Sequence, residues 1–551
     1  MDGHTVIYQI YPKSFQDSTG DGVGDLRGII NRIPYIAELG PDMVWFSPFF
    51  VSPQRDNGYD VADYRNVDPA MGTMGDVEDL IVGLAEHGIG VMFDMVFNHT
   101  STEHEWFRRA LAGDPVYRDY YIIRPSAPDG GPPTNWESKF GGSAWAPFGD
   151  TGDWYLHLYD ATQADLNWRN PEVRREMADI VNFWLAKGVT GFRFDVINLI
   201  GKKEELLSSG EGVDPRVMYT DGDDVHPYLQ ELRRESFGRH PGTVTVGEMS
   251  STSIDRCVAY SNPDNAELDM VFNFHHLKVD YPSAGAKWAL KPYDSADLKF
   301  VLNEWAEGMQ AGGGWNALFL NNHDQPRAVG RFGDDDTLRV ESATMLATLT
   351  HMQRGTPFIY QGEEIGMTDP GYSSIDDYVD VEAHNAYRLL LDAGLAPVEA
   401  FDIVRARSRD NSRTPVQWDD SPTAGFTTGV PWLRPTNQDR INVAAELSGG
   451  RIFRHYRHLM ALRRTHPAIA EGTYEAWQRE HRAVHAFLRT HGDEQLLVVC
   501  NLTATPQVLP LPDGFAGGTV LSDNLSGATP TPDLPLQPYQ ALVISKGAHQ
   551  P

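Results

Sequence analysis

The sequence predicts a (β/α)8 barrel carrying an inserted loop-rich domain after its third strand and an all-β domain at its C-terminal end. Three observations lead there. Eight short runs of apolar, β-branched or aromatic residues recur, longer segments of helical periodicity separate them, and chemically capable polar residues gather where the runs end. Runs that are apolar throughout suit strands buried on both faces of a parallel sheet. Eight of them alternating with helices point to a closed barrel, with an open doubly wound sheet as the alternative.

The runs are VIYQIYP at 6–12, MVWFSP at 43–48, GVMFDMVF at 90–97 and GFRFDVI at 191–197, then VTVGEM at 244–249, DMVFNF at 269–274, ALFLNN at 317–322 and PFIYQG at 357–362. VRREMADIVNFWLAKG at 173–188 shows the helical period between the third and fourth runs and the return to the barrel. The barrel is expected over 1–99 and 173–468. Residues 100–172, rich in Gly, Pro and Trp, form the inserted domain, expected to overhang the barrel rim. A polar insertion at 365–432, which contains SRDNSRTPVQW, follows the eighth strand before the helix RIFRHYRHLMALRRTHP. From 469 to 551 short strands such as AVHAFLRT and QLLVVCNLT predict a β-sandwich.

At 551 residues with 41% hydrophobic content spread along it, the chain is long enough for a large barrel with added domains and is not disordered. Forty-six basic against 76 acidic residues leave a formal charge of -30, which repels nucleic acid and anionic lipid and excludes both as partners. The segment MDGHTVIYQI has no basic n-region before an apolar core, and no run approaches the ~18 apolar residues of a membrane span, so a cytoplasmic monomer is expected. Cys257 and Cys500 are the only cysteines. They lack metal-ligand spacing and read as buried free thiols.

Asp94, Asn98, His99, Asp195, Glu248, His323 and Asp324 fall at or just past the C-terminal ends of the runs, the rim where this fold builds its chemistry. Cleaving an acetal with retention needs two carboxyl groups about 5–5.5 Å apart. Asp195 and Glu248 end neighbouring strands and suit that task, although a lone carboxyl in such a place is more often a salt-bridge partner or a helix cap. Arg193, two residues before Asp195, points the same way and would keep a nucleophile ionised. Glu248 must instead hold a proton, which an apolar wall and the Asp195 charge would favour.

DMVFNH at 94–99, GFRFDV at 191–196, VGE at 246–248 and NNHDQPR at 321–327 resemble the four signature segments of the α-amylase family, glycoside hydrolase family 13. QADLN at 163–167 and GTPFIYQGEEIGM extend the resemblance over essentially the whole chain. The resemblance implies that Asp195 is the nucleophile, Glu248 the acid/base and Asp324 a third carboxylate that holds the sugar ring. It further implies that His99 and His323 bind hydroxyls of the first subsite, and that Asp60 and Arg413 close that subsite into a pocket for one sugar. In DSTGDGVGD, Asp17, Thr19, Asp21 and Asp25 alternate around a glycine like a shortened EF-hand loop; a plain polar turn is the alternative. The family's calcium loop is similar, with the Val23 carbonyl as a further ligand, and implies one structural calcium ion. No cofactor is expected for catalysis.

Val196 after the nucleophile is typical of relatives that cleave α-1,6 and related bonds. FNFHHLKVDYP at 272–282 resembles the trehalose-6-phosphate hydrolases. A dianionic phosphate on an acidic protein needs local cations, which Lys278 and Lys287, helped by His275 or His276, would supply unless they are only a solvated face. SAGAK at 283–287 is one residue longer than the corresponding stretch of those enzymes and is partly similar to oligo-1,6-glucosidases. The expected activity is hydrolysis of a small glucoside, either trehalose 6-phosphate or a neutral isomaltose-type oligosaccharide. A non-catalytic transporter heavy chain is disfavoured because all three carboxylates are present. A sugar isomerase is disfavoured because QPRAVGRFGDD lacks the charged Arg-Leu-Asp-Arg-Asp loop.

Overall fold

The computed structural model describes residues 3–282 and 287–547. The expected strands are β1 (Ile7–Ile10), β2 (Met43–Phe46), β3 (Gly90–Met95), β4 (Gly191–Phe194), β5 (Val244–Glu248), β6 (Met270–Phe272), β7 (Ala317–Leu318) and β8 (Thr356–Tyr360). They belong to one sheet of order β6-β5-β4-β3-β2-β1-β8-β7, the eight-stranded parallel arrangement of the (β/α)8 class. β7 is only two residues long, and Phe319–Asn322 continues beyond it outside the ladder. The chain divides into two compact units, residues 1–44 with 274–551, and residues 45–273.

In the unit of residues 45–273, β3, β4, β5 and β6 run parallel, with Arg193 level with Asp94 on one side and Val246 on the other. The helix Pro171–Ala186 packs against β3 through Trp184. Asn170 caps its first turn by accepting from the Glu172 amide, and Pro171 fits the first helical position, where no amide donor is needed. Val173, Met177, Ile180, Val181 and Trp184 then make one buried stripe. Trp184 lies against Phe50 and Phe93, with centroids 5.4 and 5.1 Å away, and donates to the Tyr64 carbonyl. Burial of each such side chain contributes about 1.5–3 kcal/mol. The inserted segment has its own three-stranded antiparallel sheet, Ile123–Pro125, Asp153–Leu156 and Trp145–Pro147. Its Trp136, Trp145, Leu156 and Leu158 share a core with Val196 and Leu199, which anchors it beside the end of β4.

In the other unit β1, β8 and β7 pair in parallel. Glu364, just past β8, is fully buried and accepts from the Tyr8 and Tyr35 hydroxyls and the Gly362 amide, tying β1, the helix Ile33–Leu39 and the end of β8 together. The terminal domain comprises β9 (Thr473–Trp477), β10 (Val484–His491), β11 (Glu494–Asn501), β12 (Gln507–Pro510), β13 (Thr519–Asp523), β14 (Asp533–Leu536) and β15 (Ala541–Ser545). A five-stranded antiparallel sheet of order β9-β10-β11-β15-β13 faces the β12-β14 pair. The alternate residues Val484, Ala486, Leu497, Val499, Leu542 and Ile544 meet Leu509, Leu534 and Leu536 between the layers. Both cysteines are buried and free. Among the described residues no helix is long and apolar enough to cross a membrane.

Two tests follow. Gly22 adopts φ 92°, and a β-carbon there would stand 1.9 Å from the Val430 carbonyl oxygen, so Gly22→Ala should cost about 1–3 kcal/mol and lower the thermal midpoint. Burial raises the Glu364 carboxyl, against its tyrosine and amide donors. The folded state therefore keeps a proton that the unfolded chain has lost, and stability falls as pH rises above the ordinary glutamate value of 4.5. The urea midpoint should drop as pH rises above 4.5, and by less in Glu364→Gln.

Candidate active site

Within residues 45–273 the centre is Arg193, 2% exposed. Strand alternation aims it and Asp195 the same way, and the parallel register brings Asp94 beside it from β3. Its Nη1 donates to Asp94 Oδ1 at 2.7 Å and to Asp195 Oδ1 at 2.5 Å, while Nη2 contacts Glu248 Oε2 at the end of β5. Asp94 also accepts from the Tyr59 hydroxyl at 3.0 Å and the Trp45 indole at 3.3 Å. Burial, with the nearby Asp195 charge, pushes the Asp94 carboxyl up to about 7 against the pull of Arg193. Although burial disfavours its charge, Arg193 is held cationic by Asp94 and Asp195.

This differs from the apolar wall expected around Glu248. One guanidinium meets three carboxyl groups, so a charged neighbour stands beside the Glu248 carboxyl. Val196, immediately after Asp195, has φ 37° and ψ 40°, a left-handed conformation that strains a β-branched residue. Its side chain is locked in the Trp136–Trp145 core, which holds the turn after Asp195 in place.

His99 is buried and neutral, burial lowering its affinity for a proton. Its Nε2 donates to the Tyr59 carbonyl at 3.1 Å, and its Nδ1 then accepts from Asn98 Nδ2 at 3.2 Å, so protein groups engage both ring nitrogens. Asn98 in turn meets Asp165 and the buried Lys202 at 3.1 and 2.7 Å, and Lys202 pairs with Asp165 at 2.7 Å. Sequence reasoning had placed QADLN but not this buried network, whose lysine carries no motif of its own. Asp60 is fully buried and accepts from Ser52 Oγ and the amides of Arg55 and Asp56.

In the unit of residues 1–44 and 274–551, His323, Asp324 and Arg413 come together. Gln9 Nε2 donates to His323 Nδ1 at 2.8 Å, which leaves the proton on Nε2, 3.2 Å from Asp324 Oδ2. Arg413 donates from Nε to the His323 carbonyl and from Nη2 to Asp324 Oδ1, both at 2.7 Å. Removal from water opposes charge on Asp324, yet His323, Arg413, Arg409 and Lys287 hold its carboxyl well below the usual range. Arg409, which the sequence did not single out, clasps Asp380 with two nitrogens at 2.9 and 2.6 Å and reaches Glu382 at 3.3 Å. Asp380 and Glu382 lie in a stretch with no motif, and their spacing alone gives no signal.

The expected phosphate cations have separate fates. Lys287 Nζ pairs with Glu382 at 2.6 Å and lies 4.9 Å over the Trp288 ring. His275 stacks on Trp305 with centroids 4.5 Å apart, and Lys278 ends the single 3-10 turn His275–Lys278. His276 is buried, donates to the Phe319 carbonyl at 2.7 Å and is pushed down to about 4 by burial, so it is neutral and supplies no charge. Residues 283–286 of SAGAK lie outside the described residues.

The loop over 17–25 folds onto itself. Asp17 accepts the Thr19, Gly20 and Gly22 amides and the Thr427 hydroxyl; Asp21 accepts the Val23 amide; Asp25 caps the helix Leu26–Asn31 through the Gly28 amide. Among the described residues no three Asp, Glu, His or Cys side chains converge as a metal-holding group. As arranged here, the set does not fit the expected calcium site.

Residues 9–472 match the family described as alpha amylase, catalytic domain, and residues 474–541 match maltogenic amylase, C-terminal domain. The chain is 50% identical to the trehalose-6-phosphate hydrolase of Bacillus subtilis over 98% of its own length and 97% of the relative's. It is 45% identical to the oligo-1,6-glucosidase of Parageobacillus thermoglucosidasius with the same coverage. The crystal structure of a Bacillus licheniformis trehalose-6-phosphate hydrolase superposes with a TM-score of 0.95 at 49% identity, covering 99% of each chain. With a family match across the barrel, relatives aligned end to end and the signature carboxylates in place, the chain belongs to the alpha-amylase family of glycoside hydrolases.

Proposed function

We propose that this glycoside hydrolase is a retaining α-glucosidase that converts trehalose 6-phosphate and water to glucose and glucose 6-phosphate. The observation that carries the retaining mechanism is the contact of one guanidinium, Arg193, with both Asp195 and Glu248. Two carboxyls gathered on the terminal nitrogens of a single arginine suit the close spacing, about 5–5.5 Å, of a retaining pair. In the first step Asp195 attacks the anomeric carbon while Glu248 protonates the departing oxygen. The bond to the leaving sugar breaks and a glycosyl ester forms. In the second step the deprotonated Glu248 takes a proton from water, which displaces Asp195 and regenerates both groups. By its motif Asp324 holds the sugar ring, and His323 and Arg413 keep that carboxylate charged and oriented.

Trehalose 6-phosphate as substrate is supported by the 50% identity to a hydrolase of that name and by Lys278 at the end of the turn His275–Lys278. One observation favours a neutral isomaltose-type substrate instead. Lys287 is already paired with Glu382, and such a pair suits sugar hydroxyls as well as a phosphate.

Initial rates of glucose release from trehalose 6-phosphate, trehalose and isomaltose at matched concentrations decide between them. The phosphorylated substrate should be strongly preferred, and Lys278→Ala should remove most of that preference. Preference for isomaltose, with no effect of Lys278→Ala, would establish an oligo-1,6-glucosidase. The mechanism has a separate check. Glu248→Gln should lose about 10²–10⁴-fold in kcat on a natural glucoside and much less on a nitrophenyl glucoside, whose leaving group needs no proton. Glucose should appear first as the α-anomer by NMR.

A further inference from the structure

Where does an acidic protein find positive charge for the phosphate of a leaving sugar? With a formal charge of -30, the chain as a whole repels a dianion, so recognition depends on cations fixed close to the leaving group. Glu248 protonates the oxygen of the sugar that departs, so groups just beyond Glu248 border that sugar.

Ser250 follows Glu248 by two residues and is held rigidly. Its amide donates to Asn198 Oδ1 and its carbonyl accepts from Asn198 Nδ2, both at 2.9 Å. Asn198 lies three residues after Asp195, so this double bond joins the turn after the nucleophile to the turn after the acid/base. Onto that joint the inserted segment delivers a cation, with Lys139 Nζ donating to Ser250 Oγ at 3.1 Å and lying 5.3 Å over the Tyr219 ring. Lys139 is half-buried and its backbone is pinned. Its amide donates to the Leu158 carbonyl at 2.7 Å, the Ser138 hydroxyl donates to the Tyr159 carbonyl at 2.7 Å, and Phe140 packs edge-on to Tyr159, which in turn lies 5.3 Å from the His99 ring. A lysine tail on a fixed backbone beside a fixed serine keeps a mobile donor within reach of one small region, and an ammonium recognises phosphate as a point charge.

We infer that Lys139 is a specificity-determining residue that donates to the phosphate of the leaving sugar. The inference rests on the proposed trehalose 6-phosphate activity. Ser250 positions the ammonium when no phosphate is bound, and the phosphate oxygens replace the serine hydroxyl as acceptor when it is.

The experiment is steady-state kinetics of the full chain on trehalose 6-phosphate, trehalose and isomaltose for the parent, Lys139→Ala and Lys139→Arg, with thermal midpoints recorded alongside. In Lys139→Ala the loss of kcat/KM on trehalose 6-phosphate should exceed the loss on isomaltose by about 10- to 100-fold, the worth of a hydrogen bond to a charged group, and should lie mainly in KM. Lys139→Arg, which keeps the charge, should recover part of the difference. Equal losses on both substrates, or none on either, would overturn the inference while leaving the parent's preference intact. A parent with no preference for trehalose 6-phosphate over trehalose overturns the substrate reading itself, and the role of Lys139 falls with it.

Discussion

A buried guanidinium is the constraint around which this active site is built. Arg193 sits in the sheet with 2% of its surface exposed, and a charge so placed is tolerable only if carboxylates surround it. Three do, one each from β3, β4 and β5, and the register that sets Arg193 beside Asp94 is the same register that carries Asp195 and Glu248 to adjacent strand ends. Burial, with the neighbouring Asp195 charge, raises the Asp94 carboxyl against the pull of Arg193.

The same economy of charge recurs in the other unit. Arg413 and Arg409 fix Asp324 and Asp380, Glu382 answers Lys287, and the local field keeps the Asp324 carboxylate ionised. Cations there are consumed in holding acids in place. The inserted segment brings Lys139 to Ser250, just past β5. The segment is held beside the end of β4 by Val196 and Leu199 in its own aromatic core, so its packing and the conformation of the turn after Asp195 are one feature.

Much of this was legible in the chain itself. Apolar runs marked the eight strands within a residue or two, except that β4 ends three residues and β7 four residues before its run does. The i, i+4, i+7 stripe through Val173, Met177 and Ile180 marked the helix Pro171–Ala186. The two-residue spacing of Arg193 and Asp195 foretold their shared orientation, because strand alternation is a local property. Less was legible where partners come from elsewhere in the chain. Asp17 accepts the Thr427 hydroxyl, a partner 410 residues away that its own segment does not announce. His276 looked like a cation, but burial against the Phe319 carbonyl leaves it neutral.

The sequence by itself determined the barrel class, the terminal β domain, the signature carboxylates and the family, since periodicity and short motifs record what neighbours along a chain must do. Tertiary structure alone decided that Arg193 touches Glu248 as well as Asp195, that Glu382 neutralises Lys287 and that Lys139 reaches Ser250. Those pairings join residues dozens to more than a hundred positions apart. Their electrostatic effect depends on separations of a few ångströms and on exclusion of water, which only the packed chain establishes.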